Sequence, residues 1–157
     1  PARPVYIIGH SAGGQFVARL SAMSGDLGAV RLVAANPGSH LFPDRSAPYG
    51  YGLGNLPEEL SDDDALRRYL AAPLTLYLGT ADNDPAHPSM DRSEPAMRQG
   101  AHRYARGLAC FAAAQQLAAE RGWEFRWRLG EAPGIAHDAT QMFAADEARD
   151  ALFGPAK

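Results

Sequence analysis

The stretch YIIGHSAGGQF, residues 6–16, decides how the rest of the chain is read. Val5 to Ile8 are four consecutive β-prone apolar residues, the mark of a strand covered on both faces in a parallel sheet. Gly9, His10 and Ser11 follow, then two more glycines, before Phe16, Val17, Leu20 and Met23 resume at helical spacing and Gly25 offers a terminator. The chain therefore turns sharply from strand to helix with Ser11 at the apex, in a conformation that non-glycine residues rarely adopt. Gly9 and Gly13 are expected to omit Cβ atoms that would collide across the turn, and Gly14 to let the helix lie close to the sheet. Unpaired N–H groups and the positive end of the helix dipole converge beside Ser11, which suits an oxyanion, and the Ala12 N–H is the natural donor. An ordinary glycine-rich strand-to-helix turn would need the same glycines. A phosphate loop is disfavoured, because no Lys-Ser or Lys-Thr pair follows and no glycine has dinucleotide-fingerprint spacing.

Downstream, Ala29–Ala35 reads as a second buried strand closed by the turn Asn36-Pro37-Gly38. An irregular stretch rich in Pro, Gly and aromatics follows. Ser61 and Asp64 form a capping box for a short helix carrying Leu66, Tyr69 and Leu70. Pro73–Gly79 is a third strand, running into the turn-rich TADNDPAHP. Residues 95–121 read as helix with Met97, Tyr104, Leu108, Phe111 and Leu117 inward, and with a break or close contact at Gly100 and Gly107. WEFRWRL, 123–129, alternates strictly and predicts an edge strand; a loop carrying His137 and a last helix over about 139–152 close the chain. Strands alternating with helices, without repeats, predict one parallel α/β sheet.

Of the 157 residues, 46% are hydrophobic and 21% charged, enough apolar content for one core. A net charge of −3 gives no reason to expect nucleic acid or an anionic membrane as partner, and no apolar stretch reaches membrane-spanning length. Cys110 is the single cysteine, so no internal disulfide is possible and a core position is expected. His40, His87 and His102 lack partners at metal-ligand spacing and read as surface or helix-face residues; His10 reads as locally packed. No metal or other cofactor is implied. Asp82-Asn83-Asp84 could open a calcium loop, but the glycine and distal glutamate such a loop needs are missing.

A serine hydroxyl is a poor nucleophile without a base in reach and a third group to orient that base. Reactive groups in parallel sheets gather at the carboxyl ends of strands. Three such ends supply Ser11, an aspartate and His137, in the order of the α/β-hydrolases.

GHSAGG resembles the nucleophile elbow of α/β-hydrolase esterases, GTADNDP the acid loop, and PGIAHD the closing histidine loop. The resemblance implies Asp82 as acid, with Asp84 as the runner-up, and His137 as base. ANPGSHLFPD, LGTADND, QGAHRYARG and PGIAHDATQMF are further similar to esterase-like hydrolases near the poly(3-hydroxybutyrate) depolymerases. It implies an α/β fold in which residues 1–157 form a partial domain, its C-terminal part, with the N-terminal strands missing. That missing half is then the partner the chain requires, and its loop would carry the second oxyanion donor. The implied activity is cleavage of carboxylic esters, in a small molecule or a polyester, through an acyl-enzyme. Thioester or peptide hydrolysis on the same residues, or non-catalytic binding, are the alternatives. Residues 38–60 are expected to form a mobile cover or substrate loop, with Phe42, Tyr49, Tyr51 and Leu53 as candidate substrate-binding residues.

Overall fold

The computed structural model describes residues 3–154. Four parallel strands form one sheet in the order β1-β2-β3-β4: β1 (Val5–His10), β2 (Ala29–Ala35), β3 (Leu74–Gly79) and β4 (Arg128–Ala132). Helix α1 (Ala12–Met23) joins β1 to β2, and α2 (Asp63–Leu70) precedes β3. Helices α3 (Glu94–Gln99) and α4 (Arg103–Arg121) lie between β3 and β4, and α5 (Ala139–Ala144) and α6 (Asp146–Phe153) end the described chain.

The two-residue period of the strands divides the core. Leu32, Ala34, Leu74 and Leu76 point to one face and pack with Val17 and Ala18 of α1, Leu66 and Tyr69 of α2, and Cys110, Ala114 and Ala118 of α4. Val33, Ala35 and Tyr77 point to the other, against Met142, Ala148 and Ala151 of α5 and α6. Helices thus cover both faces, which is why β3 is buried at all six positions.

Several sequence expectations are corrected. β1 is not fully covered: Val5 and Ile8 are 49% and 42% exposed, and among the described residues the strand pairs only with β2. Gly9 is required at the turn, since a Cβ there would lie 2.2 Å from the Gly13 carbonyl oxygen, whereas a Cβ on Gly13 would meet nothing. The N-cap of α2 is Asp62, which accepts from Ala65 N–H at 2.7 Å, and Ser61 instead donates to the Pro57 carbonyl. The long helix breaks at Gly100 (φ 153°), and Gly107 is the close contact, its missing Cβ leaving room for Leu78.

Phe111 and Leu117 do pack against the core, but the fully buried positions of α4 are Arg103, Arg106, Gly107, Cys110, Ala114 and Ala118; the small residues from Gly107 onward let this helix seat on β3. Met97 is 44% exposed. Trp123, Phe125, Trp127 and Leu129 do share the inner side, but only Arg128–Ala132 is strand; β3 begins at Leu74, and the stretch before Arg128 instead runs past the end of α2, where Arg126 N–H donates to the Leu70 carbonyl. The last helix divides at Ala145, whose ψ of 151° is extended.

Candidate active site

Ser11 caps the carboxyl end of β1 with φ 56° and ψ −118°, a strained combination for a side-chain-bearing residue. Its backbone is held by the Ser11 N–H donating to the Ala35 carbonyl (2.9 Å) and by Gln15 N–H donating to the Ser11 carbonyl (3.0 Å). Gly14 permits the turn, since a Cβ there would sit 2.7 Å from the Ala35 carbonyl oxygen. Ser11 Oγ makes no capping bond to α1, so the hydroxyl is free for other work. Ala12 is the first residue of α1, and its N–H is among those without an intrahelical acceptor.

The loops after β3 and β4 are stitched to each other. Thr80 N–H donates to the Ala132 carbonyl (3.1 Å), Ala81 N–H to the Ile135 carbonyl (3.0 Å), and Gly134 N–H to Thr80 Oγ1 (2.9 Å). Gly79 makes this approach possible: a Cβ there would lie 2.3 Å from the Ile135 oxygen. Asn36, buried at the end of β2 with φ 42°, joins the same seam by accepting from Gly79 N–H at 2.7 Å and donating to the Ala136 carbonyl at 3.2 Å.

The seam delivers Asp82 and His137 to each other and to Ser11. His137 Nδ1 lies 2.7 Å from Asp82 Oδ2, and His137 Nε2 lies 3.0 Å from Ser11 Oγ. Asp84 is elsewhere, its exposed carboxylate accepting from Ala86 N–H in a local turn. Asp82 is 4% exposed. Burial alone would raise its carboxyl, but the hydrogen bond and charge of His137, and the charge and hydrogen bond of Arg103, outweigh burial and hold it below the ordinary carboxylate value. This arrangement can take a proton from a hydroxyl through an imidazole whose tautomer is fixed by a carboxylate.

Two neighbours of the site, His87 and Arg103, escaped the sequence reading. The ring of His87 packs on His137 at 5.5 Å, opposing its placement on the surface, while His10 packs locally as expected, on His137 at 4.7 Å. Arg103 binds Asp82. His40 is not on the surface either but 1% exposed, and His102 caps α4 by accepting from Ala105 N–H. Asn36 carried a signal only as a turn residue. Arg103 carried none, because the small residues at 107, 110, 114 and 118 with which it shares the inner face leave no apolar period.

Residues 38–60 make a compact loop tied down by Gln99, which bonds both backbone groups of His40 and the Tyr51 carbonyl, and by Tyr51 Oη on Asp91 and Ser93. Phe42 and Tyr51 line a cleft of about 310 Å3 with Pro48, Pro95, Arg98 and Gln99. Tyr49 is 45% exposed. Leu53 is not a lining residue: it lies in the core at 1% exposure, where it anchors the glycine-rich loop. Among the described residues no group of three or more His, Cys, Asp or Glu could hold a metal ion.

No protein-family model matches the chain, and no curated protein does. Solved structures do. Poly(aspartic acid) hydrolase-1 from Sphingomonas sp. KT-1 is similar at 43% identity and a TM-score of 0.85, over 91% of this chain and 53% of that one. LpqC, a poly(3-hydroxybutyrate) depolymerase from Bordetella parapertussis, is similar at 41% identity and a TM-score of 0.79, over 88% of this chain and 46% of that one. The chain spans about half the length of each. In sequence and in fold it is an α/β-hydrolase relative of these two polymer hydrolases.

Proposed function

We propose that the full-length protein is a serine hydrolase that cleaves carboxylic esters through an acyl-enzyme. The observation that carries this reading is the unbroken hydrogen-bonded chain Ser11–His137–Asp82 at the carboxyl ends of the strands. In the proposed reaction His137 Nε2 takes the Ser11 hydroxyl proton as Oγ attacks the ester carbonyl, and Asp82 stabilises the imidazolium that forms. The Ala12 N–H and the dipole of α1 hold the tetrahedral oxyanion. Its collapse expels the alcohol, which takes the proton from His137, and water then repeats the sequence to release the acid and restore Ser11.

The cleft between loop 38–60 and α3, lined by Phe42 and Tyr51, is the proposed seat for the substrate beyond the scissile bond. The open outer edge of β1 is proposed to pair with chain that precedes it in the full-length protein, which would also supply the second oxyanion donor. One of the two structural relatives is named for poly(aspartic acid), whose units are joined by amides, and the other for a polyester. The same residues could serve either bond.

Rates on ester, thioester and amide substrates with one common acyl group separate these readings, with fluorophosphonate labelling as the control for Ser11. The expected result is an ester preference, abolished on the order of 10⁶-fold by Ser11→Ala. An amide preference would replace the esterase assignment, and a full-length protein that neither labels nor turns over would be a binding domain.

A further inference from the structure

Arg103 stands on the first turn of α4 with its side chain 2% exposed. Its Nη1 donates to Asp82 Oδ1 at 3.0 Å, its Nη2 donates to Ser89 Oγ at 2.9 Å, and Nη2 lies 3.3 Å from His87 Nδ1. The α4 backbone reinforces the contact, Tyr104 N–H donating to the Asp82 carbonyl at 3.1 Å, with the positive end of the helix dipole directed the same way. Burying a guanidinium costs several kcal/mol of desolvation; the other arginine on this helix face, Arg106, spends its donors on the backbone carbonyls of Gly38, Asp91 and Gly100, and the rest of the face is glycine, alanine and cysteine. Packing alone gives no reason for an arginine here.

The geometry gives one. With Oδ1 held by Arg103, Asp82 has Oδ2 left to face His137 Nδ1. Arginine can only donate, so the His87 Nδ1 lone pair faces Nη2 and the ring proton of neutral His87 sits on Nε2. That ring stands edge-on to His137 at 5.5 Å, at 68° between planes.

We propose that Arg103 is a positioning residue for the reaction: it fixes the Asp82 carboxylate and the His87 ring around His137, and its charge limits how tightly the Asp82–His137 pair holds a proton. The proposal rests on the reading of Ser11, His137 and Asp82 as the reacting set. The titratable and charged groups around His137 are Asp82 from the loop after β3, Arg103 from α4, His10 from β1, His87 from the segment before α3, and Asp138 from its own loop. Arg103 is the permanent cation among them, so its removal makes the pair bind a proton more tightly and leaves the base protonated to higher pH.

The test uses the full-length protein with Arg103→Met, Arg103→Gln and Arg103→Lys. The readouts are the pH dependence of kcat/KM on a short-chain nitrophenyl ester, and the His137 imidazole titration followed by NMR. Both neutral variants should lose about 10- to 100-fold in kcat with KM within about twofold. Their acid limb and His137 titration should move up by roughly one pH unit. Lysine keeps the charge but cannot span Asp82 and Ser89 as the planar fork does, so Arg103→Lys should return the limb to the wild-type position with kcat only partly recovered. A limb and an NMR titration that coincide with wild type in whichever neutral variant folds would overturn the proposal, whatever the melting temperature does. If wild type shows no Ser11-dependent turnover, the hydrolase reading fails by itself, and the NMR titration still decides the role of Arg103.

Discussion

β3 and β1 are both six-residue parallel strands whose carboxyl ends lead to the candidate site, yet they are built in opposite ways. β3 is buried at every position, and the loop that follows it is bound by hydrogen bonds to the loop after β4, to Asn36 and to α4. β1 pairs on one side only, exposes Val5 and Ile8, and holds Ser11 through backbone strain and two close glycines. The Asp82–His137 pair is therefore set by contacts wholly inside this chain, while the strand under Ser11 has an edge free for further chain. Damage on the β3 side should show as lost geometry. Damage on the β1 side should show as lost stability, and only when the outer edge is covered.

Among changes that leave the side chains of the site intact, Gly79→Ala gives the largest expected effect. Its Cβ would meet the Ile135 carbonyl oxygen, a backbone atom that cannot swing aside, so the His137 loop must retreat from the Asp82 loop. A displacement of about 1 Å between reacting groups can cost on the order of 100-fold in turnover. Gly107→Ala is the matched comparison. It overpacks Leu78 on the same strand at about 1–3 kcal/mol, but it meets a side chain and leaves the seam alone. Kinetics and denaturant melts on both variants should therefore show Gly79→Ala losing about 100-fold in kcat and Gly107→Ala losing stability with kcat per folded molecule retained. Equal activities would mean that the seam does not hold His137 in place.

Ile8→Lys probes the other side and should have a smaller effect. If chain from the full-length protein covers the edge of β1, burying a lysine there should cost about 1.5–3 kcal/mol, the scale of one aliphatic side chain. In residues 1–157 alone, where Ile8 is 42% exposed, the cost should stay under about 1 kcal/mol. Urea melts of both lengths measure the difference. Equal small losses would show that nothing covers that edge.

How far the sequence is legible follows the same division. The turn at Ser11 is readable because its constraint is local: an apolar run, then glycines where the backbone approaches itself, then a helical period. Asp82 is readable from its fixed distance after Gly79, once a resemblance says which loop carries an acid. Arg103 is not. A lone arginine in a chain with 14 of them reads as a solvated face, and the real inner stripe of α4 is made of small residues that leave no hydrophobic period. The late start of β4 is hidden for a different reason, since alternation records which side a residue faces and not whether a strand lies next to it. Leu53 and His40 were misplaced because a loop rich in Gly and Pro looks exposed, whereas this one folds onto the core.

His40 supplies the smallest effect and the sharpest check on how sealed the β3 side is. It is fully buried, both ring nitrogens lack a hydrogen-bond partner among the described residues, and burial, aided by the charge of Arg106, lowers its pKa to about 3. The fold therefore holds His40 neutral at pH values where the unfolded chain, with a value of about 6.5, is protonated. Between those limits the unfolded state binds more protons, so stability falls as the pH is lowered, by at most about 1.4 kcal/mol per unit from this group. His10, lowered by burial and by His137, acts in the same sense; Asp82, held below the ordinary carboxylate value, adds its loss only at still lower pH. His40→Leu leaves the two Gln99 bonds to the residue 40 backbone in place and removes no side-chain hydrogen bond. Urea melts from pH 6.5 down to 4.5 should show wild type losing stability more steeply than the variant, by up to about 1 kcal/mol per unit. Parallel slopes would mean that water or a proton reaches His40, and that the part of the molecule holding Asp82 and His137 is no more sealed than the strand that holds Ser11.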